Sequence, residues 1–205
     1  MRDLPEFYVL RHGETEWNVA GRFQGGLDSA LTPRGAAQAN AMGQALARLG
    51  VTTTHRWISS PAPRAIRTAE LARGAPPDAL DPRLTEIGMG DWSGLTRTDI
   101  DTRWPGPPDE DLMSFYARVP GGEQLAAVAR RITALLTALD GPAVLVTHGI
   151  TSRFLRGAVL GLPPQSLGTL PGGHGVIFRC THGRVEEVAR VDTLPDAAPG
   201  GICAT

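Results

Sequence analysis

Two short stretches hold residue types that can do chemistry together. In "YVLRHGETEWN" the apolar run Tyr8, Val9, Leu10 leads straight into Arg11, His12 and Gly13, and "VLV" later leads into Thr147, His148 and Gly149. Each pattern sets an imidazole at the carboxyl end of a buried strand, with a glycine behind it that lets the chain turn closely. If the two strands are neighbours, both rings face one crevice. A third strand end, "ISSPAPRA", sets Arg64 in the first turn of a helix. Open backbone N–H groups and the helix dipole favour an anion there. Taken singly, His12 reads as a turn histidine and Arg64 as a solvated helix residue. Together, two imidazoles and two guanidiniums around one helix-lined crevice make a phosphate site.

Electrostatics assigns the roles. Guanidiniums close to His12 disfavour its protonated form. A neutral imidazole among cations is a nucleophile facing an electrophilic phosphorus. Arg11, Arg64 and His148 are then placed to hold the equatorial oxygens as charge redistributes. Asn18 either donates a further hydrogen bond to phosphate or holds its own loop through backbone groups. Arg22 and Gln24, from the Gly-rich "GRFQGG" loop, complete the candidate phosphate set. A departing alkoxide needs a proton, and Glu86 in "RLTEIGMGDWSGL" is the expected donor. Its apolar neighbours Ile87, Met89 and Trp92 favour a neutral acid, whereas the arginines favour a carboxylate. Such a group can protonate the leaving oxygen and then activate water. Glu14 or Asp28 would serve instead if the middle loop lay elsewhere.

Bulk properties narrow the setting. With 205 residues, 41% of them hydrophobic, and a net charge of -1, the chain is long enough for one good-sized core. Its overall charge gives no reason to expect nucleic acid or membrane as a partner, and a small phosphorylated substrate is the expected one. All 20 of its Lys or Arg residues are Arg, so any anion site must use guanidinium, which grips phosphate in a bidentate fork. Cys180 and Cys203 make neither a disulfide framework nor a metal spacing. His55, His174 and His182 share no ligand spacing either, although His174 in "PGGHGV" falls near the expected rim of the site. No apolar run is long enough to span a bilayer and no signal-peptide pattern opens the sequence, so a cytoplasmic location is expected. Oligomeric state is not legible.

The elements that must position these groups follow from periodicity. A strand ends at Leu10, and a helix opens at Thr32 and Pro33 and closes at Gly50, with Ala39, Met42, Leu46 and Leu49 on one face. Trp57 and Ile58 form a strand, after which Ser60 and Pro61 open a helix that Gly74 closes. Residues 74–82 read as Pro-rich loop with a short strand. Residues 88–121 are the least regular part; Trp92, Trp104, Met113, Phe115 and Tyr116 there either wall a leaving-group pocket or simply pack. Glu110 and Asp111 would repel an anion if they faced the site. Leu125, Val128, Ile132, Leu135 and Leu139 mark an amphipathic helix. A buried strand, "AVLV", a helix over "GITSRFLRGAVLG" and two strands, "GVIFRC" and "RVEEVARV", finish the pattern. Alternating strands and helices indicate a layered α/β fold with a mostly parallel sheet, whose ligands sit beyond the carboxyl ends of the strands. Residues 1–195 are expected to form one domain and 196–205 a loose tail.

"LRHGETEWN" with "GRFQG", "SSPAPRAIRTAE", "LTEIGMGDWSGLT", "VPGGEQL" and "VTHG", in that order, resembles the histidine phosphatase superfamily, also called phosphoglycerate mutase-like. The resemblance runs from about Phe7 to Leu162. It implies a three-layer α/β/α sandwich, a phosphorylated His12 intermediate, no metal and no other cofactor. It also implies His12 as nucleophile, Glu86 as proton donor, and Arg11, Asn18, Arg64 and His148 at phosphate-binding positions. Ile150 stands where the mutases carry Asn after the second His-Gly, and their Lys- and Pro-bearing insertion before it is missing. Glu14, Thr15 and Glu16 replace the RHGxRxP of the acid phosphatase branch. The expectation is a phosphomonoesterase, with a mutase-type phosphotransferase as the alternative. A catalytically silent phosphate-binding scaffold is a third reading, but such a protein should have lost a core group.

Overall fold

The computed structural model describes residues 4–181 and 183–191; the expected tail, His182 and Cys203 lie outside them. In chain order the first half carries β1 (Phe7–Arg11), α1 (Glu16–Val19), α2 (Pro33–Arg48), β2 (Arg56–Ser59), α3 (Pro63–Arg73) and β3 (Ala79–Leu80). The second half carries α4 (Arg97–Arg103), α5 (Leu112–Ala117), α6 (Leu125–Ala138), β4 (Ala143–Thr147), α7 (Gly149–Leu160), β5 (Val176–Thr181) and β6 (Arg184–Arg190).

Strands β1 and β4 are buried along their whole lengths, and their side chains alternate between two cores. Phe7, Val9, Ala143, Leu145 and Phe178 pack on one face with Val128, Ile132, Leu135, Phe154 and Leu155 of α6 and α7. Tyr8, Leu10, Val144, Val146 and Ile177 pack on the other with Met42, Leu46, Ala65 and Ala69 of α2 and α3. A sheet apolar on both faces must be covered on both, which is the α/β/α layering expected. Strand order is β3-β2-β4-β1-β5-β6. The β3, β2, β4 and β1 pairings are parallel, whereas β5 and β6 pair antiparallel.

The central register positions the chemistry. Arg11 pairs with Thr147, so His12 and His148 leave the sheet side by side. Backbone bonding continues one step further, from His12 N–H to the Thr147 carbonyl and from Ser60 N–H to the Val146 carbonyl, both at 2.9 Å. All three segments reach the crevice at one level.

Two expectations need correction. Helix α3 starts at Pro63, not at Ser60 and Pro61, because a residue before proline is pushed out of the helical region; Ala62 is extended at φ -64°, ψ 132°. Leu49 is 49% exposed and caps α2 rather than joining its buried face. Within residues 88–121, the open question over Glu110 and Asp111 is decided: Glu110 pairs with Arg118 and Arg97, Asp111 caps α5 through Met113 and Ser114 N–H, and neither lines the cavity that holds His12. Trp92, Met113 and Phe115 are core residues here, with Trp104 packed against them. Among the described residues, no helix is long and apolar enough to cross a membrane.

Helices α2 and α3 cross at close range. A Cβ placed on Gly43 would lie 2.0 Å from the Ala72 carbonyl oxygen. In an open helix interior, Ala would be favoured over Gly by about 1 kcal/mol; here backbone would have to move. The expected result for Gly43→Ala is a loss of about 1–3 kcal/mol in urea denaturation, the usual scale of overpacking. A gain in stability would show that the two helices do not approach this closely.

Candidate active site

His12 is buried at the end of β1, and its Nδ1 lies 2.8 Å from the Gly13 carbonyl oxygen. A carbonyl only accepts, so Nδ1 carries the hydrogen and Nε2 keeps its lone pair. Burial first, then the Arg11 and Arg64 charges, hold this imidazole well below the usual histidine range, against a smaller opposing pull from the Gly13 carbonyl. Gly13 has no left-handed conformation to justify it. Its role is close approach: a Cβ there would sit 2.2 Å from the Gly35 carbonyl oxygen, and its N–H donates to Thr68 Oγ1 at 3.0 Å.

His148 meets His12 edge-on, with ring centroids 5.1 Å apart. Its Nε2 is 2.8 Å from Ser60 Oγ. That hydroxyl accepts the Ala62 N–H at 3.3 Å and has its own hydrogen left for Nε2. Nδ1, which then bears the ring hydrogen, is buried with no hydrogen-bond partner and suits a phosphoryl oxygen. Burial, then Arg64, His12 and Arg11, keep this ring neutral as well. Ser60, read in the sequence as a helix opener, is thus a positioning residue for His148.

Arg64 is 2% exposed. Its Nη1 donates to the Leu27 carbonyl at 2.7 Å and to Asp28 Oδ1 at 2.8 Å, and Nη2 donates to the Gly25 carbonyl at 3.1 Å. The first-turn N–H expected to await an anion is taken by the same Asp28 oxygen at 3.3 Å. Asp28 is therefore a counter-ion to Arg64 rather than an acid. Glu14 is bound to Thr32 and Arg34. Glu86 lines one cavity with His12 and Arg64.

The N-terminus of α7 also receives a carboxylate. Glu86 Oε2 accepts the Ile150 N–H at 3.1 Å, and Oε1 accepts the Thr151 N–H and hydroxyl, each at 3.1 Å, and the Ile87 N–H at 3.0 Å. Hydroxyls of Thr147 and Thr151 pin the carbonyls of Leu84 and Thr85, both at 2.7 Å. From the other side, Glu123 of "VPGGEQL" clasps Gly88 by its N–H at 2.9 Å and its carboxylate at 3.3 Å. Strand β4, helix α7 and the Glu123 loop together fix one carboxylate.

The remaining predicted residues divide. Gln24 Nε2 donates to Thr15 Oγ1 at 2.8 Å and its Oε1 accepts from Ser29 at 3.3 Å, so its amide is occupied in holding the 15–29 loop. Asn18 Oδ1 accepts the Thr15 N–H at 3.0 Å and faces His174 Nε2 at 3.2 Å, which leaves its amide NH2 group for a ligand. Arg22 is exposed and donates to the Gly94 carbonyl at 2.6 Å. All three nevertheless line one cavity with Arg11, His12, Arg64 and Glu86, and Phe23, Gly25, Met89 and Tyr116 complete the wall. Of the aromatic candidates from residues 88–121, only Tyr116 lines it. Burial and the Glu86 charge push the Tyr116 phenol well up, so it remains an O–H donor. His174 lies 5.8 Å from His12, ring to ring, and is likewise depressed by burial and by Arg11.

Sequence reasoning missed Ser60, Thr68, Thr147 and Thr151, whose hydroxyls act through other residues and carry no motif signal of their own. Phe23 was visible only as part of a loop. Among the described residues, no group of three or more His, Cys, Asp or Glu side chains could hold a metal ion.

Known proteins share this arrangement of chain. The sequence model of the family described as histidine phosphatase superfamily (branch 1) matches residues 7–192. A protein of Cronobacter sakazakii named "Probable phosphoglycerate mutase GpmB" is 39% identical over 176 residues, covering 77% of this chain and 76% of that one. The glucosyl-3-phosphoglycerate phosphatase of Mycolicibacterium vanbaalenii is 35% identical over 178 residues, 80% of this chain and 78% of that one. A mycobacterial glucosyl-3-phosphoglycerate phosphatase solved in complex with VO3 superposes with a TM-score of 0.74 at 34% identity, over 89% of this chain and 96% of that one.

Three neutral rings in one place couple stability to pH. Unfolded, each titrates near the ordinary histidine value of 6.5; folded, each resists protonation to a much lower pH. The unfolded chain therefore binds more protons below that value, and stability falls as pH drops from it. The slope is at most about 1.4 kcal/mol per pH unit for each ring still neutral when folded. Urea midpoints of the ligand-free protein should accordingly decline from about pH 6.5 downward, and less steeply in His12→Gln. Equal slopes in the two proteins would mean that His12 is charged in the folded state.

Proposed function

The chain belongs to branch 1 of the histidine phosphatase superfamily, and from that footing we propose that it hydrolyses a small phosphate monoester through a phosphorylated His12. The observation that carries the reading is the His12 tautomer. Nδ1–H is fixed on the Gly13 carbonyl, and the Nε2 lone pair belongs to a ring in a cavity that Arg11, Arg64 and Glu86 also line.

In the first half-reaction Nε2 attacks phosphorus, the P–N bond forms and the ester P–O bond breaks. Glu86, loaded with a proton, gives it to the leaving oxygen. Arg11, Arg64, the Asn18 amide and His148 Nδ1–H supply donors to the three equatorial oxygens, whose charge redistributes in the transition state. In the second half-reaction the Glu86 carboxylate takes a proton from water, the water oxygen attacks phosphorus, and the P–N electron pair returns to Nε2. Burial keeps Nε2 unprotonated between turnovers, which is the condition for repeated attack. No part of this cycle calls on a metal ion.

Phe23, Met89, Tyr116 and the exposed Arg22 also line the cavity, and we assign this wall to the leaving group. This half-apolar wall offers few hydrogen bonds with which to retain a departed alcohol, and that favours water as the acceptor. Ile150 points the same way, since its side chain is buried in the core and gives a retained acceptor no polar contact. A mutase-type phosphotransfer is the second reading, favoured by the name of the relative at 39% identity. Its first half-reaction would be the same. Loss of a core group, the mark of a silent scaffold, is not seen at His12, Arg11, Arg64, His148 or Glu86.

A panel of phosphorylated sugars, glycerates and nucleoside esters separates the readings when released phosphate is measured beside isomerised product. Phosphate release in excess is expected; isomerisation without release would replace hydrolase by mutase. Rapid quenching with labelled substrate should trap acid-labile, base-stable phosphate on His12. His12→Ala should fold and lose at least about a thousandfold in kcat, and Glu86→Gln about 10²–10⁴-fold. A folded His12→Ala protein with near-normal turnover would remove the nucleophile from the scheme.

A further inference from the structure

The histidine of "PGGHGV" takes no part in the chemistry above, yet the backbone around it is built to place it. Gly173 and Gly175, on either side of His174, have φ of 121° and 71°, values that side chains other than hydrogen disfavour. The Gly175 carbonyl accepts the Val191 N–H at 2.8 Å, which ties the turn to the residue after β6. Strand β5 runs antiparallel to β1 with Ile177 beside Leu10. Stepping back from Ile177 therefore runs alongside the chain from Leu10 to His12. The His174 ring ends 5.8 Å from that of His12.

The partners of Asn18 fix which nitrogen of His174 donates. Asn18 Oδ1 accepts the Thr15 N–H at 3.0 Å and the Thr15 hydroxyl at 2.8 Å. A backbone N–H can only donate, so the amide oxygen is on that side and the NH2 group on the other. His174 Nε2 lies 3.2 Å from the same oxygen, so Nε2 carries a hydrogen. Burial, then Arg11, His12 and Arg34, hold the ring well below the usual histidine range, and it brings no further charge into the site. The Thr15 bonds are local. Thr15 caps α1, none of whose residues is buried, and its hydroxyl also accepts the Asn18 N–H and the Gln24 amide. Such bonds shape the loop within itself. The His174 bond, spanning 156 positions of sequence, ties it to the sheet.

We propose that His174 is a positioning residue of the phosphate site: its Nε2–H holds the side-chain oxygen of Asn18, which lines the cavity with Arg11, His12 and Arg64, and so keeps the amide NH2 group turned to a phosphoryl oxygen. This role rests on the phosphate reading of that cavity given above, and it needs no contact between His174 and substrate.

Inorganic phosphate is the probe, with its affinity for the full chain read by calorimetry, apart from turnover. His174→Phe keeps a ring and loses the donor, and it should bind phosphate about five- to tenfold more weakly. His174→Gln, whose amide can donate at a similar reach, should recover most of that loss. In an Asn18→Ala background the Phe substitution should cost less than about twofold, because the group it acts through is gone. An equal loss in both backgrounds, or full affinity in a folded His174→Phe, overturns the role. Nitrogen NMR of the imidazoles in wild type should find His174 with its hydrogen on Nε2. A neutral ring with the hydrogen on Nδ1 overturns the role even if His174→Phe fails to fold. Absence of phosphate binding in wild type would remove the site and this role together. The expected coupling in a protein that traps no phosphoryl group on His12 would leave the role of His174 standing and remove the phosphohistidine alone.

Discussion

A single constraint governs this architecture: an imidazole must stay uncharged in a buried place crowded with guanidiniums. Cations are needed because the phosphoryl group is an anion, yet each one near His12 makes protonation of the ring less favourable. The arrangement turns that repulsion to use. In the proposed reaction the same charges that would draw in phosphate also keep Nε2 supplied with its lone pair, and the fixed Gly13 carbonyl decides which nitrogen has it. What remains is to prevent the cations from repelling one another apart. Asp28 and the carbonyls of Gly25 and Leu27 hold Arg64, and Glu86 lines the same cavity.

Sheet topology makes such crowding possible at small cost. Because β1 and β4 are parallel neighbours in register, two polar strand ends emerge together from a fully buried pair of strands. An antiparallel pair would have sent the two histidines to opposite edges. The helix that follows β4 is then used twice. Its first-turn N–H groups hold Glu86, and its second and third turns carry Arg153 and Arg156 into the core. A single helix thus fixes Glu86 and carries two buried guanidiniums.

Much of this was legible in the sequence, for a physical reason. Strands β1 and β4 are uniformly apolar runs that stop at a charged or imidazole residue, so both their burial and their ends could be read. The amphipathic helix 125–138 was plain from its spacing of three and four. Long-range polar partners were not legible. That Asp28 would take the first-turn N–H of α3, or that Ser60 would turn to His148, depends on where a distant segment comes to rest. Pro63 was visible, and its effect on Ala62 could have moved the start of α3 to its true place. Residues 88–121 resisted reading because their helices are short, and their aromatic residues serve one core instead of marking a periodic face.

That last feature bears on how reaction and specificity are divided. The acid is held by β4 and α7 through backbone N–H groups and threonine hydroxyls, which belong to the rigid centre of the sheet. The wall assigned above to a leaving group comes from elsewhere: Phe23 from the first loop, Met89 from a short turn, and Tyr116 from α5. Phe23 touches this wall's own scaffold, stacking on Phe115 at 5.2 Å and meeting Tyr116 at 6.4 Å. Exchanging side chains at these three positions would therefore reshape the alcohol side of the cavity without moving His12, Arg64 or Glu86. A site so divided can keep one phosphoryl chemistry while its substrate changes, and relatives named for different reactions can then share most of their chain.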